Sequence, residues 1–436
     1  MKLSSALHHP SIITLGSVSS LLLAVAFLVM GNGLQGTLVP IRAGMEGFAS
    51  INIGLMGFGY YAGFILGCLY TPRLMARVGH IRTFTALVAI ASIGPLANPV
   101  LISPFVWILL RGMTGFCLAG LYLIIESWLN EKAENGNRGF VMSSYIVVNF
   151  SVITIGQLLV MAEDPSSFVL FTVASILISL SALPIALTTT NQPTPPPVTR
   201  FRPKKLYQIS PVGMVGCVLI GLGQGAFWTL APVFAIAQGG GSIAYTSLFM
   251  SAAVMGGALA QTPLGRLSDK IDRRLVLMAI CFGAVILGAA ITLLGVYHIT
   301  LSFSAGLFLA SLFGACTLPA YALAAAHAFD FADRKDFVEL SGGLLLANGV
   351  GSALGPVIAS GLMGWFGEPA LFGYHGGVML ILAGYLVHRL RQRASATIET
   401  KQAFDLGATA AIPTVHALPV ENVAQKRRRF RALKVR

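Results

Sequence analysis

Only 10% of the 436 residues carry a charged side chain, where a water-soluble globular chain carries about a quarter. That leaves too little polar surface to cover the chain in water, so the two or three soluble domains its length would otherwise suggest are excluded. Acids are the scarcest class, 16 against 29 Lys and Arg. Cysteine is nearly absent. Cys68, Cys117, Cys217, Cys281 and Cys316 stand singly in apolar runs with no C-x-x-C pair. Neither a disulfide framework nor a thiolate metal site is indicated, and the five read as small buried hydrophobes. The chain also lacks a G-x-S-x-G element, a His/Glu cluster and paired acids within an apolar run. No enzyme is expected, and neither a cofactor nor a metal is called for.

What the chain does have is hydrophobic length. Hydrophobic residues make up 55% of it, and the mean hydropathy is +0.78. Its runs repeatedly reach the ~20 residues needed to cross a bilayer, where only helices satisfy their own backbone. The pattern predicts helices over 11–40, 52–75, 83–101, 104–129, 139–161 and 168–188, then over 211–236, 244–265, 275–297, 299–326, 338–364 and 370–390. The fold class is therefore an all-α membrane protein of twelve transmembrane helices. Lys2 and Ala24-Val25-Ala26 loosely fit a cleaved signal, but the apolar run continues past Ala26 and the segment is kept as a mature helix.

The net charge of +13 is a topology signal and not a nucleic-acid footprint. With the N-terminus placed in the cytoplasm, all of the 29 basic residues except Arg42 and Arg111 fall on the cytoplasmic side, as the positive-inside rule requires. A multi-pass protein of the cytoplasmic (inner) membrane with both termini cytoplasmic is expected. Lys426, Arg427, Arg428, Arg429 and Arg431 end a polar tail suited to anionic lipid.

The chain reads as two copies of one unit. GNGLQGTLVP at 31–40 aligns with GQGAFWTLAP at 223–232. Gly115 and Tyr122 align with Gly314 and Tyr321, and Asn149 and Gly156 with Asn348 and Gly355. Between the copies, residues 190–210 hold Pro193, Pro195, Pro196, Pro197 and a basic cluster, the composition of a polar linker. The expected organisation is a six-helix bundle over 1–189, a cytoplasmic linker over 190–210, a second bundle over 211–391 and a disordered basic tail over 392–436. Parallel repeats of this kind place a substrate site between the halves.

Gly265-Arg266-Leu267-Ser268-Asp269-Lys270 with Arg273-Arg274, between the eighth and ninth helices, resembles the cytoplasmic signature of the major facilitator superfamily. The matching first-half loop keeps Arg77, Gly79 and Arg82 but has Ala76 in place of the acid. The stretch from Arg111 to Gly156, with Glu126-Ser127-Trp128 and Asn137-Arg138-Gly139, is similar to the YcaD-like branch. The resemblance implies two pseudo-symmetric bundles working by alternating access, and a latch role for Asp269 and Arg273. Gly351, Gly355 and Pro356 resemble an antiporter element, but in the eleventh helix and not the fifth, which leans away from antiport.

Arg111 lies seven residues into the fourth helix, about 10 Å deep. Intramembrane charge is costly and marks function by default; the bland alternative is snorkelling to the outer surface. Arg111 and Gly115 also resemble the family's fourth-helix arginine motif, tied to substrate or proton coupling. Glu126, roughly 22 Å further along, is read as half of a gate ion pair with Arg77 or Arg138, with proton carriage as the alternative. The substrate and coupling candidates are Arg111, Asn32, Gln35, Gln224, Phe227, Trp228, Tyr321, Asn149 and Asn348. Helix-to-helix hydrogen bonding is the plain alternative for the amides. Phe227-Trp228 replaces Gln35-Gly36 of the first half; it either belongs to an interfacial belt or breaks the symmetry beside an asymmetric ligand.

The function expected is secondary active transport of a small anionic or neutral organic solute, proton-coupled, by a monomer. The alternatives are a receptor or sensor on the same fold and a copper importer. Copper fits poorly, since Met250 and Met255 are five apart and His298, His327, His375 and His388 lie near helix ends.

Overall fold

The structure is a computed structural model that describes residues 10–132, 138–187, 202–297, 299, 301–333, 336–392, 401 and 404, with side chains described from Val18 onward and not over 132–140. Most of the basic tail, the proline-rich part of the linker and the Arg138 side chain lie outside the described residues. Among the described residues, twelve helices are long and apolar enough to span a membrane. They are α1 (Val18–Met45), α2 (Ser50–Val78), α3 (His80–Ala97), α4 (Pro104–Glu131), α5 (Val141–Ala162) and α6 (Val169–Ala186). The second half repeats the plan with α7 (Pro211–Gln238), α8 (Ile243–Lys270), α9 (Arg273–Val296), α10 (Phe303–Phe329), α11 (Phe337–Phe366) and α12 (Ala370–Gln392).

Local chemistry sets the helix starts in the second half. Ser210, Ser242 and Ser302 each accept a hydrogen bond from a main-chain N–H three residues on, and Asp272 accepts one from Arg274. Such caps satisfy donors that the helix itself leaves unpaired. Between α2 and α3, Gly79 turns the chain at φ 88°, a conformation open to glycine at little steric cost. Two differences from the expected helices stand out. α1 runs through Pro40 to Met45, because neighbouring helices tolerate a proline kink inside a membrane bundle. α10 is interrupted at Leu318 and Pro319, where proline supplies no N–H to the ladder.

The halves pack alike. α1 lies on α5 and α6 as α7 lies on α11 and α12, and α2 lies on α4 as α8 lies on α10. The repeat-related glycines explain why. A Cβ on Gly115 would strike the carbonyl oxygen of Tyr60, and one on Gly314 that of Ala253. A Cβ on Gly156 would strike Met30 O, and one on Gly355 Leu222 O. Small residues let helix backbones touch where lipid offers no hydrophobic drive. The same two touch points recur in each half.

Three apolar cores organise the bundle. One lies almost wholly in the first half, with Val254, Leu345 and Leu346 reaching it from the second. Another lies wholly in the second half, toward the end that carries Asp269 and the short helix Pro203–Ile209, here the linker end. The third joins the halves at the opposite, far end, where Leu38 and Ile41 of α1 cluster with Leu230 and Phe234 of α7. Arg42 sits beside this last core. It pairs with Glu46 at 2.6 Å and donates to the carbonyls of Pro165 and Ser166, tying α1 to the α5–α6 loop. Arg42, one of the two basic residues expected away from the cytoplasmic side, thus serves the structure.

Candidate substrate cavity

Between the halves lies a cavity of about 970 Å³, its solvent-open part included. From the first half, α1 contributes Asn32, Gly36 and Thr37, α2 contributes Tyr60, Tyr61 and Phe64, and α5 contributes Gln157. From the second half, α7 contributes Gln224 and Trp228, α8 Met250, and α11 Asn348 and Ser352. Among the described residues Arg111 of α4 is the single charged one in the lining. Its guanidinium carbon sits 4.5 Å from the centre of the Tyr60 ring, a cation–π distance. Its Nη1 is buried with no hydrogen-bond partner. The inward aim disposes of the snorkelling alternative.

Five of the sequence-named candidates therefore meet at one place: Arg111, Asn32, Gln224, Trp228 and Asn348. Gln224 donates from Nε2 to the Thr317 carbonyl at 2.8 Å, next to the break in α10. Asn348 donates to the Cys217 carbonyl at 3.1 Å, and Ser352 to its Oδ1 at 3.5 Å. Those two amides brace helices as well as facing the cavity.

The other four do not line it. Phe227 is buried and packs on Phe313 and Phe372 at ring distances of 5.3 and 6.4 Å. One position along a helix turns a side chain by about 100°, so Trp228 faces the cavity while Phe227 fills the far-end core. Gln35 is buried beside that core with neither side-chain polar atom hydrogen-bonded. Tyr321 packs in the second-half core, and Asn149 lies by Tyr145 inside the first half. The residues that sequence reasoning passed over are Tyr60, Tyr61, Phe64 and Gln157.

The gating candidates also distribute differently from their expectation. Glu126 is 1% exposed. It accepts a hydrogen bond from Tyr145 at 3.0 Å. Arg77 is exposed and makes no ion pair among the described residues, and Arg138 falls outside the described side chains. Among the described residues no Glu126–Arg77 ion pair is formed.

Asp269 pairs with Arg273 at 3.0 Å, and Arg273 in turn pairs with Asp330 at 2.8 Å and donates to Ser268 Oγ. The main-chain N–H of Phe404 donates to both Asp269 oxygens, the Phe404 ring covers Gly265, and the Lys401 ammonium donates to the Ser268 carbonyl. Among the described residues Asp269 makes no hydrogen bond or ion pair to the first half. These contacts clasp the signature to the chain's own tail. Outside the spans, partial burial pushes the Asp272 carboxyl up, but the hydrogen bonds and charge of Arg274 outweigh it and hold that carboxyl below its usual value.

Solved structures share this architecture. The nucleoside transporter NupG superposes with a TM-score of 0.70 at 13% identity, over 86% of this chain and 99% of its own. A bacterial homologue of the human lysosomal transporter Spinster, in an inward-facing and occupied conformation, gives 0.66 at 14% identity, over 89% and 98%. At those identities the likeness concerns the fold. In sequence, the MFS-type transporter YcaD of Salmonella heidelberg (strain SL476) is 29% identical over 380 residues, 86% of this chain and 95% of the relative. The YcaD transporter of Salmonella arizonae is 28% identical over the same length. The Major Facilitator Superfamily model matches residues 21–334 and 213–434. With far more than half of its length so matched, the chain belongs to the Major Facilitator Superfamily and is a multi-pass membrane protein that transports a small molecule and is not an enzyme.

Proposed function

We propose that the protein is a secondary transporter that carries a small anionic or neutral organic solute across the cytoplasmic membrane by alternating access, driven by protons. Residues 1–189 and 211–391 are the two moving bodies, 190–210 the linker between them, and the working unit is a monomer. The linker end faces the cytoplasm, a reading supported by the crowding of Lys and Arg at that end.

The carrying observation is electrostatic. The cavity between the halves holds one fixed positive charge, Arg111, and no acid among its lining residues. Bringing a cation into a low-dielectric site beside a like charge costs several kcal/mol, on the order of what burial of an unpaired charge costs generally. An anion or a neutral molecule meets no such barrier. The test is uptake into proteoliposomes under an imposed pH gradient, with wild-type protein and Arg111→Ala. Arg111→Ala should lose most uptake while keeping its thermal transition. Robust uptake of a monovalent organic cation, undiminished by that change, overturns the reading.

The copper alternative draws little support. Met250 reaches the cavity, whereas Met255 is exposed and His375 is buried between α7, α10 and α12. A receptor on the same fold would bind its solute without moving it, which the same vesicles report.

A further inference from the structure

The cavity's polar groups say more about the ligand than its sign. Arg111 offers five N–H donors, yet it makes no hydrogen bond to the protein among the described residues, and its Nη1 is buried. Tyr60 covers the flat face of the guanidinium, leaving the N–H edge for a partner, the geometry that a carboxylate satisfies with two parallel bonds. On α5, Gln157 is 3% exposed and lines the same cavity with Oε1 lacking any donor. A third buried orphan in the lining, the Thr37 hydroxyl, can donate or accept; of the other two, Arg111 is a donor carrying charge and Gln157 Oε1 an acceptor carrying none.

The shape is asymmetric at one repeat-related pair. Position 36 of α1 and position 228 of α7 correspond, yet one is Gly and the other Trp, and both line the cavity. A Cβ on Gly36 would meet nothing within 4 Å, so space lies open at one wall while a flat indole covers the other. Tyr61 and Phe64 add further aromatic surface.

Building on the transporter reading above, we infer that the ligand is an aromatic monocarboxylate bearing one hydrogen-bond donor, such as a ring hydroxyl or ring N–H. Its carboxylate meets Arg111, its ring lies against Trp228 in the space beside Gly36, and its donor meets Gln157. A second carboxylate finds no counter-charge, which sets the charge at one. A neutral amide of the same shape leaves the guanidinium without its ion partner.

The experiment uses purified full-length protein in detergent and calorimetric titration. The probes are 4-hydroxybenzoate and indole-3-acetate, against 4-hydroxybenzamide, 4-hydroxybenzylamine, benzoate and terephthalate. At least one of the two donor-bearing acids should bind about tenfold or more tighter than the amide, as expected for a charge-assisted pair. The amine and the dianion should bind weakest, and benzoate less well than 4-hydroxybenzoate. Arg111→Gln should erase the preference for acid over amide. Gly36→Leu, which fills open space and leaves the helix intact, should abolish binding with an unchanged thermal transition. Equal binding of amide or amine by the wild type, or binding of neither acid, overturns the inference without reference to any variant. The same proteoliposomes then separate the two readings. Binding of 4-hydroxybenzoate without counterflow sinks the transporter and keeps the ligand class. Counterflow of some other solute that aromatic acids do not compete with keeps the transporter and sinks the ligand class.

Discussion

Arg273 and Asp330 form an ion pair in which both side chains are 1% exposed. Such a pair adds little net stability, because desolvation offsets most of the attraction, yet removing one partner strands the other. Arg273→Ala should therefore cost about 3–5 kcal/mol, and the double change with Asp330→Leu should cost less than the single one. Thermal unfolding in detergent of both singles and the double closes the cycle; a double as damaged as the sum of singles would refute the coupling. Asp272 makes a smaller, pH-dependent contribution. Its carboxyl sits below the usual value in the folded protein, despite partial burial, because Arg274 binds the charged form. A depressed native value stabilises the fold above the unfolded value and is lost as pH falls through the native one. Wild type should thus lose more thermal stability than Asp272→Asn between about pH 5 and pH 3; parallel curves would remove Asp272 from the account.

At the scale of elements, the glycine contacts make a sharp demand. Gly115 and Gly314 touch backbone, so no rotamer change relieves an added side chain. Gly115→Val and Gly314→Val should each abolish folded protein, whereas Gly44→Val, in open space, should express like wild type in a fluorescence size-exclusion profile. This is also why the architecture was legible beforehand: helix crossings at fixed points force small residues to recur, and they do so at 115 and 314 and at 156 and 355. The cavity was half legible by the same means. Arg111, Asn32, Gln224 and Trp228 are conspicuous in apolar helices, but Tyr60 and Phe64 look like ordinary filling until α4 and α2 are packed. The burial of Glu126 was not legible, because Tyr145, which donates to it, lies on another helix. The tail clasp was invisible for a similar reason, since Lys401 and Phe404 lie over 130 residues from Ser268 and Asp269. Ending the chain at Gln392 should raise hydrogen exchange over 265–272; unchanged protection there would show that the clasp holds nothing.

The whole molecule is closed at one end by shared hydrophobic surface. Leu38, Leu230, Phe234 and Met363 belong to a single core at the far end, while toward the linker end the second half keeps a core of its own. Closest approach across the far end includes Gly57 of α2, where a Cβ would come 2.7 Å from Thr229 Cγ2 of α7. A protein that loads and releases at opposite faces must separate these two positions once per cycle, which a covalent bond forbids. Their approach is within the reach of a disulfide, whose Cβ atoms stand roughly 3.5–4.5 Å apart. The test carries Gly57→Cys and Thr229→Cys with Gly36→Cys as reporter, the five native cysteines replaced. An impermeant maleimide is supplied from the far side, and labelling is read by mass on the peptide bearing position 36. With the pair reduced, position 36 should be labelled, because opening of the far end admits the reagent to the cavity. With the pair oxidised, labelling should fall about tenfold or more, the population shift that a locked two-state element imposes, and reductant should restore it. Equal labelling in both forms would mean that the far end never opens, and alternating access through this interface would have to be abandoned.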